Sequence, residues 1–500
     1  MPLSRRPLAL LAALALVSAV TACTNAAVGD PVGSQLDAQK PTSTKKTPPA
    51  APPRDKINLT TENGRQSAGT VLAGAGDAPY NYAPAVMLDN GRVRAWWCSQ
   101  LSAAPPGGDD ILYSEGPAVG GPFTTAVPVF SGSGGSFDAI HTCDPSLIKI
   151  GSKYYLYYTG AARDNHANGS SVGVASSPDG ISWTRENGGQ SIVAPAGDNF
   201  RENTYGAGQQ SAVYVDGWVY LMFTDTTGLA SHQNGAGQYV LRSKDPTFAT
   251  GVEALGKQGF KPVTSNNQPR TRSIVEAFSA DWMWIEAVSS FAIAHETDAG
   301  TTITFWNKDF TRHPFEPVTI TGPWKEGPGL LRTPEGHAPV DPKDPCGRVA
   351  LDVLRGTIEG PAGPTNISHF GFDAVGLKGC ATAAEAKVLN GFAVPSPERT
   401  LDVVVGTNVM RFERRSVAEK FARGVLGTRP QGVDSLKLTV TVPAGAPAVT
   451  NPDGEVGLLL GEKLWVVGSA QVATLNSSQI TPVSMDQWAK YERLPDLVRR

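Results

Sequence analysis

The sequence predicts a mainly β protein built as a five-bladed β-propeller, with a small C-terminal α/β accessory region. The prediction rests on a hairpin pattern that recurs, on the shared register of its copies, and on a turn-rich composition of 54 Gly and 39 Pro in 500 residues. Five hairpin starts at intervals of roughly 45 to 75 residues match the repeat length of a propeller with four-stranded blades. A β-sandwich is the alternative, but sandwich strands rarely keep one register.

The clearest copy of the hairpin is Asp144–Gly160, in which Leu, Ile and Tyr residues predict two strands joined by a Gly151-Ser152 turn. A shift of 65 residues places Ser211 over Ser146, and a shift of 137 residues places Asp281 over Asp144. Looser copies begin at Pro84 and at Glu326. Together these copies assign residues 70–355 to the propeller and residues 356–500 to the accessory region.

The N-terminus resembles a bacterial lipoprotein signal peptide over residues 1–23. A basic start is followed by an apolar stretch at residues 8–20, and Val20-Thr21-Ala22-Cys23 resembles a lipobox in which Cys23 receives the lipid. An ordinary secretory signal cleaved near Ala22 or Ala27 is the alternative. Lipidation predicts a protein anchored to the cell membrane on its extracytoplasmic side. Residues 24–69 are rich in Pro and Thr and lack apolar periodicity, which predicts a disordered tether.

Four further cysteines stand at Cys98, Cys143, Cys346 and Cys380. An even number in an exported chain favours two disulfides, and of the three possible pairings we expect Cys98–Cys143 and Cys346–Cys380. The absence of a Cys-x-x-Cys pair in the sequence disfavours a zinc site. A net charge of -3 gives no support to a nucleic-acid partner.

The accessory region contains strand-like runs and one helical pattern. The helical spacing of Val417, Phe421 and Val425 indicates a helix between strands. The strand-like runs are Leu401–Val405, Leu436–Val442, Val456–Leu460 and Leu464–Val467. Nothing in this pattern indicates what the region does.

Carboxylates stand at three of the predicted blade starts, at Asp144, Asp281 and Glu326. The first strand of each propeller blade lines the central channel, so these side chains are expected to converge on one pocket. Mutual repulsion raises the pKa of at least one such group and divides them into an acid and a base. Cleavage of a glycosidic bond needs that pair.

Two motifs carry a resemblance to a known family. Asp144-Pro145-Ser146, with the tyrosine-rich strand that follows it, resembles a motif of glycoside hydrolase family 43 and its five-bladed relatives, which include arabinanases, arabinofuranosidases, xylosidases and β-fructosidases. Glu326-Gly327-Pro328 is similar to the general-acid motif of that family. The resemblance covers residues 70–355 and implies an inverting hydrolase with a base Asp, a tuning Asp and an acid Glu.

Carried over to this chain, the resemblance implies Glu326 as the acid, with Asp144 as the base and Asp281 as the tuning carboxylate. The chain departs from the family pattern at Ala83-Pro84, where the family usually places its base, and in the last repeat, where Glu-Gly-Pro stands instead of in the third. Relocation of the base is therefore an alternative. The candidates for that role are Asp77, Asp109, Asp110 and Asp138.

Aromatic and polar residues near the predicted pocket are candidates for substrate binding. Trp97 and Trp282 can stack on a sugar ring, and core packing is the alternative for each. The candidates for hydrogen bonds to sugar hydroxyls are His141, Arg163, Gln210 and His337. No cofactor is predicted, because a structural Ca²⁺ in the channel would lack a ligand loop of known spacing.

The predicted function is an extracytoplasmic glycosidase, similar to β-xylosidases and arabinofuranosidases, that cleaves a pentose-containing polysaccharide or oligosaccharide of the arabinan or xylan type. The alternative is a non-catalytic carbohydrate-binding propeller on the cell surface. It is favoured by the first and third repeats, because Gln209 stands in the third repeat where Asp144 stands in the second. A lipoprotein scaffold for another envelope protein is a third possibility.

Overall fold

Strands dominate the structure and form six sheets. The computed structural model describes residues 56–74, 78, 80–101, 107–163, 167–358 and 365–494. The predicted signal peptide, the lipidation site Cys23 and the tether up to residue 55 lie outside these residues. Within the described ranges, no helix combines the length and the apolar character needed to cross a bilayer.

The first 21 strands build the larger part of the molecule. They are β1 Thr60–Leu72, β2 Asn81–Asp89, β3 Arg92–Gln100, β4 Asp109–Gly116, β5 Val127–Phe130, β6 His141–Ile150, β7 Lys153–Ala161, β8 Ser171–Ser177, β9 Thr184–Arg185, β10 Ala207–Val215, β11 Trp218–Asp225, β12 Gln238–Ser243, β13 Glu253–Gly256, β14 Gly259–Pro262, β15 Ala280–Ile285, β16 Ser290–Thr297, β17 Gly300–Asn307, β18 Val318–Thr321, β19 Glu326–Arg332, β20 Arg348–Ile358 and β21 Thr365–Val375.

These strands group into five antiparallel units. Units one to four are β2–β5, β6–β9, β10–β14 and β15–β18, and unit five is β19–β21 with β1 at its outer edge. The first strand of each unit contacts the first strand of the next, and β19 pairs in parallel with β2 through Leu331 and Val86. Units one and five therefore share one eight-stranded sheet, and the first strands follow one another around a common centre.

The tether predicted for residues 24–69 is wrong from residue 60 onward, because β1 begins there and pairs with β21. The strand is mostly exposed and lacks alternating apolar residues, so its sequence resembles a linker. Backbone pairing and one ion-paired arginine hold it in place. Arg65 lies 2.8 Å from Asp352 and 2.7 Å from Asp373.

The propeller boundary predicted at residue 355 is also wrong, because it falls inside β20. Unit five continues through β21 to Val375, and the accessory region follows it. Its strands are β22 Phe392–Pro395, β23 Leu401–Val405, β24 Asn408–Phe412, β25 Gly424–Val425, β26 Lys437–Val442, β27 Ala448–Thr450, β28 Val456–Leu460, β29 Lys463–Val466, β30 Ile480–Pro482 and β31 Glu492–Arg493, and its helices are α1 Arg415–Phe421, α2 Ala470–Leu475 and α3 Met485–Lys490.

The accessory region is an internal duplication, which the sequence analysis missed. Its two sheets have the same strand order, β25-β22-β23-β24-β26 and β30-β27-β28-β29-β31. A shift of 55 residues places Val456 over Leu401, Gly461 over Gly406 and Val472 over Val417 without a gap. The apolar faces of the two copies form one core, and the first copy also packs against units four and five.

The sheets of the five units are covered on both faces by their neighbours. Trp96 belongs to a core shared with unit two, whereas Trp97 belongs to one shared with unit five. Consecutive strand residues point to opposite faces, yet both rings are fully buried. Both predicted disulfides are confirmed, with Cα–Cα distances of 5.1 Å for Cys98–Cys143 and 5.4 Å for Cys346–Cys380.

Candidate active site at the axial cavity

A small cavity lies where the first strands of the five units meet. Each unit contributes one dipeptide to its wall from the start of its first strand. These dipeptides are Ala83-Pro84, Asp144-Pro145, Gln209-Gln210, Ser279-Ala280 and Gly327-Pro328, and Asp281 completes the lining. The five units therefore present equivalent positions to one axial cavity, as the sequence predicts for the blade starts.

Four of these strand starts share an unusual backbone. Ala83, Asp144, Gln209 and Gly327 have φ angles of 46°, 48°, 51° and 50°, and each lies at a register shift between the first and second strands of its unit. A bulge of this kind turns a side chain away from the regular strand direction. The left-handed backbone thus directs the side chain of Asp144 toward the axis. In units one and three the residues with the same backbone conformation are Ala83 and Gln209, which have no carboxylate.

Asp281 is not the counterpart of Asp144, although an ungapped shift aligns the two. The side chain of Ser146 accepts a hydrogen bond of 2.9 Å from Ala212 N, and that of Ser211 accepts one of 3.4 Å from Trp282 N. Asp281 continues this series by accepting a bond of 2.7 Å from Leu330 N. It therefore occupies the position that links one unit to the next, and Ser279 is the counterpart of Asp144.

The carboxylate of Asp144 is almost fully buried and is held by neutral donors. The Tyr205 hydroxyl donates to Oδ2 at 2.7 Å, and Gln209 Nε2 donates to Oδ1 at 3.0 Å. Gln209 is oriented in turn by Ser279, whose hydroxyl donates to Oε1 at 2.7 Å. Burial raises the pKa of Asp144 to about 6, and the charge of Asp109 adds to the effect.

Glu326 begins β19 directly before the bulged Gly327 and is half-buried. Its Oε2 accepts a hydrogen bond of 3.2 Å from the Tyr80 hydroxyl. Burial raises the pKa of Glu326 to about 7, and the negative charges of Asp144 and Asp109 raise it further against the opposing effect of Tyr80. Near neutral pH this group therefore carries a proton in a large fraction of molecules.

A third carboxylate, Asp109 at the start of β4, belongs to the same electrostatic cluster. Its Oδ2 accepts a hydrogen bond of 2.5 Å from Tyr82 and lies 3.2 Å from His141 Nδ1. Among the described residues, its buried Oδ1 has no hydrogen-bond partner. The Tyr82 hydroxyl also lies 3.0 Å from Cys143 Sγ, so the Cys98–Cys143 disulfide forms part of the wall beside Asp144.

Asp281 differs from these groups because it is paired with a cation. Arg332 Nη1 lies 3.1 Å from its Oδ1, and the Ser211 hydroxyl donates to the same oxygen. Arg332 also donates to the carbonyls of Ala212 and Trp282 at 3.1 and 2.9 Å. This buried group joins units three, four and five, and both of its carboxylate oxygens are already engaged.

Three of the residues predicted to bind substrate are internal to the protein. Trp97 and Trp282 have no exposed surface, and their indole N–H groups donate to Asn81 Oδ1 and to the Ser211 carbonyl. The Gln210 amide donates to the carbonyls of Asp144 and Tyr157 and accepts from Thr159. Neighbouring units cover both faces of each sheet, so both tryptophans pack in the core, whereas Gln210 positions the strands at the wall of the axial cavity.

The other predicted binding residues are spread over the molecule. His141 lies beside Asp109 in the cluster, and Arg163 is exposed beyond the end of β7, at the same end of unit two as Asp144. His337 instead contacts the Tyr214 carbonyl at 2.7 Å, near the far end of β10. Tyr214 lies five positions after Gln209 along β10, which corresponds to about 16 Å. His337 therefore lies at the opposite end of the strands.

The alternative positions for the base differ in their surroundings. Asp138 is ion-paired with Arg185 at 2.7 Å and accepts a hydrogen bond from Tyr158, which indicates a structural role. Asp110 is buried beside Asp109, and burial raises its pKa to about 6. Asp77 lies outside the described residues. Of the three alternatives that the structure describes, Asp109 is the one whose charge acts on both Asp144 and Glu326.

The tyrosines that surround the carboxylates were not among the site residues predicted from the sequence. Tyr80 and Tyr205 donate to Glu326 and Asp144, and Tyr80 packs edge-on against Tyr82 at 5.0 Å between ring centroids. Burial raises the pKa of Tyr80 to about 12, and the charges of Glu326 and Asp109 add to the effect. Tyr205 precedes the third strand start by four residues, a spacing that is visible in the sequence but carries no known signature.

The site thus combines a carboxylic acid, Glu326, with a pKa of about 7 and a carboxylate, Asp144, with a pKa of about 6. Such a pair can protonate a leaving oxygen and remove a proton from water. The tyrosine hydroxyls hold the carboxyl groups in fixed orientations. An acid and a base of this kind are among the requirements of acid/base hydrolysis at an acetal carbon.

No known protein-family model matches the chain, and no curated protein matches it. Solved structures are similar to it in part, including a family 117 glycoside hydrolase of the marine bacterium Zobellia galactanivorans, with 14% identity, a TM-score of 0.42, and coverage of 63% of this chain and 90% of that one. An α-L-arabinofuranosidase of Podospora anserina in complex with cellotriose gives 12% identity, a TM-score of 0.41, and coverage of 63% and 98%. The catalytic domain of a family 62 α-L-arabinofuranosidase of Coprinopsis cinerea gives 13%, 0.40, and coverage of 62% and 97%.

Proposed function

We propose that this chain is a glycoside hydrolase on a five-bladed propeller, with Glu326 as the general acid. The observation that carries the proposal is that Asp144 and Glu326, which lie far apart in the sequence, line two adjoining cavities, where burial raises the pKa of Glu326 to about 7. A general acid works best when its pKa lies near the working pH, because it then holds a proton and still releases it readily. The environment of Glu326 provides that condition.

Asp144 is the proposed base, and Asp109 takes the tuning role that the sequence assigns to Asp281. Asp144 lines the axial cavity and accepts hydrogen bonds from the neutral side chains of Tyr205 and Gln209. Because neither donor is charged, neither neutralises the negative charge that a base needs. Asp109 raises the pKa of both other groups through its charge. Asp281 is excluded from a direct role because Arg332, Ser211 and Leu330 N–H occupy its oxygens.

The proposed substrate is a pentose-containing polysaccharide or oligosaccharide of the arabinan or xylan type. Support comes from the Asp-Pro-Ser and Glu-Gly-Pro motifs, because Asp144 and Gly327 line the axial cavity and Glu326 lines the cavity that adjoins it. We also propose that the mature protein is anchored through Cys23 on the outer side of the cell membrane. Cleavage of extracellular or envelope polysaccharide fits that location.

Hydrolysis assays with the full-length protein test the proposal. Against arabinan, xylan and aryl pentosides, Glu326→Gln and Asp144→Asn are expected to lose roughly 10²- to 10⁴-fold in kcat/KM, the usual range for loss of a general acid or base. Glu335→Gln, an exposed change just beyond the other end of β19, is the matched control and keeps full activity. Equal activity in wild type and Glu326→Gln would contradict the assignment of Glu326 as the general acid.

A non-catalytic carbohydrate-binding protein is the second candidate. It is favoured by Ala83 and Gln209, which occupy the bulged strand starts of units one and three without a carboxylate. In that case wild type binds oligosaccharides and hydrolyses none of them. An Asp109→Asn variant separates a third outcome, because complete loss there with activity retained in Asp144→Asn would make Asp109 the base.

A further inference from the structure

A second cavity, of about 230 Å³, opens beside the axial one between units four and five. The two cavities share Ser279 and Gly327 in their walls, and Glu326 lines the second one. The remaining wall includes Phe278, Trp324 and Glu296. A group bound there therefore lies directly against the proposed general acid.

The aromatic residues of this cavity are fixed in place. Trp324 is 36% exposed, and its indole N–H donates to the Thr297 carbonyl at 2.8 Å. Phe278 packs edge-on against Tyr205, with ring centroids 4.9 Å apart. An exposed indole whose polar atom is already satisfied leaves its faces available for apolar contact, and the C–H face of a sugar ring provides such a contact.

The polar side of the cavity is formed by Glu296 at the end of β16. Both of its carboxyl oxygens lie within hydrogen-bond distance of Thr301 Oγ1, at 3.1 and 3.0 Å. Burial raises the pKa of Glu296 to about 7, against the opposing charge of Arg355. A half-protonated carboxyl both donates and accepts, which suits a sugar hydroxyl.

We propose that this cavity is a binding subsite for one uncharged sugar ring, stacked on Trp324 and hydrogen-bonded to Glu296. The volume is below the roughly 300–1,000 Å³ that is usual for pockets that bind drug-sized ligands, so it suits a single sugar ring. Lys325 also lines the cavity, but above the pKa of about 7 of both Glu296 and Glu326 their two negative charges outnumber its single positive charge, which disfavours an anionic sugar such as a uronate. The inference deepens the proposed hydrolase function and rests on it for the place of the scissile bond.

Titration calorimetry with the full-length protein tests the subsite without depending on catalysis. The probes are arabinotriose, xylotriose and digalacturonate. Trp324→Ala is expected to weaken binding of the neutral probe by about tenfold, which corresponds to about 1.4 kcal/mol. Trp324→Phe is the matched control and keeps most of the affinity, because a smaller aromatic face remains.

Glu296 is tested by a second pair of variants. Glu296→Gln keeps a neutral donor and acceptor and retains binding, whereas Glu296→Leu loses it to a similar extent as Trp324→Ala. The inference is overturned if wild type binds neither neutral probe, if Trp324→Ala binds as wild type does, or if digalacturonate binds as tightly as the neutral probes. Thermal unfolding of each variant confirms that the fold is intact.

The same experiment separates this inference from the proposed function. Selective loss of binding in Trp324→Ala with no hydrolysis by wild type supports the subsite and overturns the hydrolase. Hydrolysis that depends on Glu326, together with unchanged affinity and KM in Trp324→Ala, supports the hydrolase and overturns the subsite.

Discussion

Asp144 and Asp281 are two buried aspartates at the starts of first strands, and they have opposite surroundings. Asp144 sits on a bulge with a left-handed backbone and accepts hydrogen bonds from Tyr205 and Gln209. Asp281 sits in a regular strand and pairs with Arg332. Both side chains line the axial cavity, and a two-residue difference in position decides whether the carboxylate is held by neutral donors or joins the units through Arg332.

The largest effect on stability is expected at the Asp281–Arg332 pair. Asp281→Asn leaves the almost fully buried guanidinium of Arg332 without its partner, which should lower the free energy of unfolding by about 3–5 kcal/mol. Urea unfolding measures this loss. Asp144→Asn is the matched control, since it removes no ion pair, and a larger loss there than in Asp281→Asn would contradict the comparison.

The two disulfides should separate stability from activity. Each closes a loop of similar length, 45 residues for Cys98–Cys143 and 34 for Cys346–Cys380, so removal of either is expected to cost about 4 kcal/mol. Only the first lies beside Asp144 and Tyr82. Double Cys→Ala variants assayed at low temperature should therefore lose activity in the first pair alone, and equal activity in both would contradict this placement.

A smaller effect follows from the raised pKa of Glu326. The unfolded chain releases this proton near pH 4.3, whereas the folded protein holds it to about 7. Stability therefore falls as the pH rises between these values and levels off above them. Glu326→Gln should be more stable than wild type by about 1–3 kcal/mol at pH 8 and equal to it at pH 4.

Urea unfolding at the two pH values measures the difference. Glu335→Gln serves as the control, because that side chain is exposed. A Glu326→Gln variant that is no more stable than wild type at pH 8 would show that the folded state does not hold the proton.

The smallest expected effect is a displacement of the pH–activity profile. In the proposed roles, Asp144 acts ionised, with a pKa of about 6, and Glu326 acts protonated, with a pKa of about 7, so the expected profile is a narrow bell between these values. Asp109→Asn removes a negative charge that raises both pKa values, and both limbs should move to lower pH. Limbs that stay in place would remove Asp109 from the tuning role.

Much of the fold could be predicted from the sequence because strands and turns have local sequence patterns. The hairpins at Asp144–Gly160 and around Asp216-Gly217 follow from alternating apolar residues and turn chemistry, and the structure confirms them. β1 was not accessible, since its stability comes from pairing with β21 and from Arg65. The duplication within the accessory region was present in the sequence, but its two copies share pattern more than identity.

The site was predictable only in part. The Asp-Pro and Glu-Gly-Pro motifs lead to Asp144 and Glu326, which share one electrostatic cluster. Asp281 was misassigned because an ungapped shift cannot detect the bulge that displaces Asp144 by two positions. Trp97 and Trp282 were misassigned because a sequence does not show that both faces of a sheet are covered.

The central claim is that Glu326 holds a proton near neutral pH in the folded protein. Infrared difference spectra of wild type against Glu326→Gln, recorded across a pH titration of the full-length protein, measure this directly. The account predicts a protonated-carboxyl band that belongs to Glu326, persists at pH 6 and disappears with a midpoint at about 7. A spectrum without that band at pH 6 would show an ordinary ionised glutamate and contradict the account.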